Sequence, residues 1–257
     1  MCRFVGWIGG ERYIEDVVFT PEHSLVTQSK SALVCKTPVN ADGFGLAWYK
    51  SREEPCIYKD THPAWSDPNL KQLSYQTKAE IFLAHVRAST GTATSRNNFH
   101  PFSCQQWSFM HNGQAGGHQQ FRQELDAKIP NEYYQYRLGA TESEAIFLIA
   151  VGMGLALKPI DAMAKATKLV EDLSRESGIT PHMRFSACWS DGQQLYAARY
   201  ASDDFAPSLH YHRSDNGVVI TSEPLDNSDI EWIEVKPNEA LIICSDSIQK
   251  QEFMSFQ

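Results

Sequence analysis

A cysteine stands at position 2, directly behind the initiator methionine. Methionine aminopeptidases remove Met1 when the next side chain is small, and cysteine qualifies. The chain would then begin with a thiol and a free α-amine on one residue. Such an amine has an unperturbed pKa of about 7.7–8.0, so near neutral pH it is partly unprotonated. It can take the thiol proton directly or through one water, which makes Cys2 a self-contained nucleophile and base. The plain alternative is a buried strand cysteine.

Four further segments carry polar residues where apolar runs end. Residues 80–87 read as a strand that delivers Arg87 to the polar loop Ala88-Ser89-Thr90-Gly91. Asn97-Asn98-Phe99-His100-Pro101 follows, and His111-Asn112-Gly113 then closes another strand with an amide side chain before glycine. Thr141-Glu142-Ser143-Glu144 has the T-x-x-E form of a capping box and leads into the apolar run 145–157. Three of them have a bland explanation. Asn-Gly suits a type I′ hairpin turn, an arginine often joins a surface ion pair, and a glutamate in a first helical turn is favoured by the helix dipole.

The elements that would position these residues are readable from periodicity. Alternating, β-branched or aromatic runs predict strands at 2–9, 43–50, 80–87, 107–111, 185–190, 194–200, 208–212, 217–222, 231–235 and 239–244. A helix should follow Thr141, a second should run from Pro159 to about Glu176 before Ser177-Gly178, and a shorter one should cover 119–127. Strands come first, helices lie in the middle and more strands follow, which favours α+β over a doubly wound parallel sheet. Nothing resembles a linker or an internal repeat, so a single domain over 2–257 is expected.

Composition narrows the function classes. Hydrophobic residues make up 42% and charged residues 21%, a globular balance. The formal charge of -8 repels phosphate backbones, so nucleic acid is not expected as a partner. The run 145–157 is shorter than the ~20 residues a bilayer demands, and no secretory signal opens the chain, so a cytoplasmic protein off the membrane is expected. Six scattered cysteines without a C-x-x-C pair suggest reduced thiols. His210-x-His212 has no ligand partner at suitable spacing, so no metal is expected. P-loop, dinucleotide and G-x-S-x-G motifs are absent.

Taken together, the segments resemble the class II glutamine amidotransferases, a branch of the N-terminal nucleophile hydrolases. His85-x-Arg87-x-x-Thr90 through Asn98-x-His100-Pro101 matches the family's H-x-R-x-x-T…N-x-H-P block, His111-Asn112-Gly113 its H-N-G turn, and Cys2 its nucleophile. The stretch Asn40 to Tyr49 and Ser222-Glu223-Pro224-Leu225 are similar to the compact, stand-alone branch. The resemblance implies a four-layer αββα sandwich, two antiparallel sheets packed face to face between helices. It implies that Cys2 attacks the γ-amide of glutamine, that a thioester forms, and that ammonia and then glutamate leave, with no metal or organic cofactor.

The same resemblance assigns roles. Asn112 and the Gly113 N–H would hold the oxyanion. Arg87 would grip the substrate carboxylate as a bidentate fork, Thr90 would hydrogen-bond the ligand, and Glu142 would meet the α-amine where the family usually has aspartate. His85, Asn98, His100 and His111 are read as supporting residues. The family usually feeds a fused synthase, and 257 residues leave no room for one, so amination is expected of a separate protein. Two alternatives stand beside this reading: a γ-glutamyl peptide or conjugate hydrolase using the same nucleophile, and a non-catalytic regulatory subunit.

Overall fold

A computed structural model describes residues 2–32, 39–88, 93–226 and 230–255. In chain order the elements are β1 (Arg3–Tyr13), α1 (Glu15–Val18), α2 (Leu25–Lys30), β2 (Phe44–Tyr49), β3 (Cys56–Asp60), α3 (Pro68–Gln76) and β4 (Lys78–Val86). Then come β5 (Phe102–Cys104), β6 (Trp107–Gln114), α4 (His118–Asp126), α5 (Asn131–Tyr134), α6 (Glu142–Gly152) and α7 (Pro159–Ser177). The last block is β7 (Arg184–Ser190), β8 (Leu195–Ala201), β9 (His210–Ser214), β10 (Gly217–Thr221), β11 (Ile233–Glu234), β12 (Glu239–Ile243) and β13 (Ile248–Glu252).

The strands form two sheets, ordered β11-β9-β10-β1-β4-β2-β3 and β13-β12-β8-β7-β6-β5, and the pairings are antiparallel. Side-chain alternation along a strand explains the layering. On β1, Phe4 and Ile8 pack inward against Met110, Cys188 and Leu241 of the facing sheet. Val5 and Trp7 turn outward onto Val17, Leu25 and Leu70, from the α1, α2 and α3 layer. On β6, Met110 faces inward, while Phe109 packs outward against Phe147 of α6 at a ring separation of 5.4 Å. The result is α-β-β-α, the α+β sandwich expected.

The same parity brings the polar residues together. Continued one residue past the strand ends, the alternation gives Cys2 the side of Phe4 and Arg87 the side of Leu83 and His85, and within β6 Asn112 shares the side of Met110. Antiparallel pairing sets the start of β1 beside the end of β4, with Arg3 opposite Val86. Asn112 lies opposite Ser186 near the start of β7.

The two helices of the strongest patterns are present. α6 buries Ser143 to Val151, and Thr141 caps it by accepting the Glu144 N–H at 3.2 Å. The reciprocal half of the capping box is redirected. Glu144 reaches past Thr141 to the N–H groups of Leu138 and Gly139 and to Arg137. The apolar run outlasts its helix, and Leu157 is exposed. Among the described residues no helix is long and apolar enough to cross a membrane.

Candidate active site

One cavity of about 370 Å³ opens where β6 ends and α4 and α6 begin. Cys2, Arg87, His111, Gly113, His118 and Glu142 share its wall, and Asn98 and His100 also reach it. Cys2 Sγ lies 3.7 Å from the Ala88 carbonyl oxygen. Burial pushes the thiol up from its ordinary value, while the charges of Arg87 and Arg3 pull it back. A thiol in that state is protonated at rest and needs a base before it can attack.

Arg87 is 4% exposed, and its guanidinium carbon stands 5.2 Å from the centre of the Phe99 ring. Its backbone is tied to the Asn40–Gly45 stretch: Arg87 N donates to Gly43 O and Asp42 N donates to Arg87 O. Gly43 has φ +111°, and a Cβ there would meet the Phe99 ring at 2.4 Å, so the residue must be glycine. This packing holds the arginine head at the cavity instead of releasing it to solvent.

Asn112 is 1% exposed, and neither Oδ1 nor Nδ2 finds a hydrogen-bond partner among the described residues. Buried amides are nearly always paired, so this side chain is notable in a core strand. The next residue is also constrained. A Cβ on Gly113 would lie 1.9 Å from the Arg184 carbonyl oxygen of β7, so side-chain space is closed there.

Glu142 occupies the first turn of α6, with the Ala115 N–H and the charges of Arg137 and Arg87 near its carboxyl. Burial outweighs these and raises its pKa. His118 Nδ1 is 3.8 Å from Glu142 Oε2. Sequence reasoning placed a helix at 119–127 and did not single out His118. Its only signal is a histidine five residues past Gly113, and what matters is that the start of α4 faces the cavity.

The remaining histidines and Asn98 have supporting contacts. His111 Nδ1 lies 2.9 Å from Ser143 Oγ, which joins β6 to α6. The His85 and His100 rings lie 4.3 Å apart, tilted by 37°. Desolvation lowers His85 to about 3 and His111 to about 4, and keeps His100 well below its usual value, so all three are neutral near pH 7. Asn98 accepts the Ala140 N–H at 2.7 Å and donates to Ala93 O at 2.9 Å, linking two loops that frame the cavity. Thr90 lies outside the described residues.

Metal ligands are a separate matter. Among the described residues, one cluster has suitable spacing, Asp60, His62 and Asp67. Its carboxylates are already engaged: Asp60 with His62 and Arg96, and Asp67 with the Leu70 N–H and the Tyr58 hydroxyl. His212 contacts the Glu231 carbonyl and Trp232.

The sequence profile of the class-II glutamine amidotransferases matches residues 24–212. A Saccharomyces cerevisiae protein named probable glutamine amidotransferase DUG3 is 29% identical over 96% of this chain and 83% of its own length. A gamma-glutamyl-hercynylcysteine sulfoxide hydrolase of Mycolicibacterium smegmatis is 27% identical over 96% and 97%. Among solved structures, a glutamine aminotransferase class-II domain protein from Silicibacter pomeroyi superposes with a TM-score of 0.79 at 39% identity, covering 98% of this chain and 99% of that one. Glutamine PRPP amidotransferase of B. subtilis shares the fold at a TM-score of 0.69 and 17% identity, over 99% of this chain and half of its own.

Proposed function

The chain belongs to the class-II glutamine amidotransferases, and from that premise we propose that it cleaves a γ-glutamyl amide through a thioester on Cys2. The observation that carries this reading is a single cavity wall shared by Cys2, Arg87, Gly113 and Glu142. With Met1 removed, the α-amine of Cys2 takes the thiol proton and the sulfur attacks the substrate Cδ. The Asn112 amide and the Gly113 N–H stabilise the oxyanion. The C–N bond then breaks, the leaving amine carries off the proton held by the α-amine, and an acyl thioester remains. Water adds to it, the sulfur leaves and recovers a proton, and glutamate departs. Arg87 holds the α-carboxylate, Thr90 adds a hydrogen bond and Glu142 meets the α-amine.

The domain is read as one unit over 2–257, acting on a small molecule, with any ammonia-accepting synthase a separate protein. Hydrolysis of a γ-glutamyl conjugate is the second reading. Two observations favour it: the relative named a gamma-glutamyl-hercynylcysteine sulfoxide hydrolase, and a cavity of about 370 Å³. That volume is within the roughly 300–1,000 Å³ that accommodates drug-sized ligands.

The test is glutamate release from glutamine and from γ-glutamyl dipeptides, with intact mass measured on the same protein. Loss of one methionine and labelling of Cys2 by a glutamine-analogue diazoketone are expected. Full activity with Met1 retained would sink the amine-base mechanism. Cleavage of conjugates alone would move the second reading to first, and release from neither would favour a regulatory subunit.

A further inference from the structure

Beneath the nucleophile lies a buried charged cluster that the reaction as written leaves unused. Alternation on β1 turns Cys2 to the inner side, so Arg3 points the other way, toward α2. Arg3 does not escape to solvent there, being only 1% exposed. Its Nη1 donates to the carbonyl oxygen of Cys2 at 2.8 Å, and its Nε donates to Glu223 Oε1 at 2.6 Å. Glu223, equally buried, follows β10, and its Oε2 faces His23 Nε2 at 3.2 Å. Gln28 Nε2 of α2 donates to the backbone carbonyls of both His23 and Glu223. Ser222 Oγ accepts the Phe4 N–H at 3.1 Å, which joins this segment to β1 again.

Stability alone is a poor reason to retain such a pair. Each buried ion loses several kcal/mol of hydration, and apolar residues of similar size often fold as well or better. What the pair touches is more telling. The ladder with β4 starts at Arg3 opposite Val86, one residue after Cys2. Cys2 therefore lies ahead of the pairing that fixes Arg3 to Ile8. Its carbonyl is pinned by a side chain instead. With Met1 gone, both amine and thiol hang from the Cα of Cys2, and anchoring the carbonyl oxygen fixes the peptide plane and hence the place and direction of the Cα–C bond that carries them.

We propose that Arg3, held in place by Glu223, is a positioning residue that aims the Cys2 nucleophile at the cavity. The proposal rests on the reading of Cys2 as nucleophile. Misplacing a reacting group by about 1 Å can cost on the order of 100-fold, so a relaxed Cys2 should lose at least about tenfold in kcat.

The test pairs two variants of the full chain. Arg3→Met with Glu223→Leu removes the cluster without stranding a charge. It should fold, lose about tenfold or more in kcat, keep KM within about twofold, and slow iodoacetamide alkylation of Cys2 in parallel. Arg3→Lys keeps the charge but lacks the fork that reaches Glu223 and the Cys2 carbonyl together, so the same split is expected. If the double variant fails to fold, Arg3→Lys decides alone. Wild-type kcat in either folded variant overturns the proposal. Failure of the unaltered protein to label at Cys2 would instead remove the nucleophile reading, so the two failures are distinguishable.

Discussion

Replacing Asn112 by alanine should separate activity from stability. The side chain is 1% exposed, and its amide has no partner among the described residues. An unsatisfied buried polar group costs roughly 1–3 kcal/mol, so truncating it removes that penalty while sacrificing a little packing. The folded state should therefore hold its stability or gain about 1 kcal/mol. Catalysis should move the other way. If Nδ2 meets the oxyanion, losing it costs about 10²–10³ in kcat, or roughly 2.7–4 kcal/mol of transition-state binding, with KM nearly unchanged. Urea unfolding and steady-state glutamate release on the same preparations measure both quantities. A variant that loses more than about 1 kcal/mol of stability while retaining kcat would show the amide to be a structural group and refute the reasoning.

Arg87→Lys should raise KM far more than it lowers kcat, because a point charge replaces a planar fork over the Phe99 ring; a kcat loss at constant KM would reverse the roles of Arg87 and Asn112. Glu142→Asp should keep or improve glutamine turnover, whereas Glu142→Ala should raise KM, and unchanged turnover in the alanine variant would leave Glu142 as a helix-end residue only. Acid should destabilise the protein through its buried imidazoles. His85, His111 and His118 have folded pKa values of about 3, 4 and 4 against an ordinary 6.5, and His100 is also well below it. The unfolded chain thus binds protons that the folded chain refuses. Stability is full above about pH 6.5 and falls from there toward pH 4, by about 1.4 kcal/mol per pH unit for each histidine. A urea midpoint that stays flat between pH 7 and 4.5 would contradict this.

Strands with one apolar face were legible in the sequence, and those with none were not. The ten expected strands are present, although β1 continues to Tyr13 beyond a register shift after Ile8. β3 and β13 close the outer edges of their sheets, and Ile248-Gln249-Lys250-Gln251-Glu252 shows why such strands are hard to find. An edge is kept polar against unwanted pairing, which erases the alternation that identifies a strand. β5 has three residues, and α1, α2 and α5 have four to six, too few to display a period. α3 buries only Leu70 and Ser74, so Asp67-Pro68 announced a helix that periodicity did not support. Cys2, Arg87, Gly113 and Glu142 were readable because each lies within a local motif, whereas His118 lies in none and reaches the cavity only through the fold. Glu223 was noted as part of a signature, but its partner is 220 residues away, and only the folded sheet brings it to Arg3.

The position of β1 between β4 and β10 has a consequence for motion. Chain ends ordinarily fray at almost no cost. Here the candidate nucleophile is one residue from a ladder bonded on both sides, with Arg3 opposite Val86 and Val5 opposite Thr221. Peeling it away means opening the middle of the larger sheet. Amide exchange at Phe4 and Val5 should therefore approach the protection of global unfolding, unlike that of ordinary terminal residues. The reactive end would then be as rigid as the core, and a substrate would have to come to it.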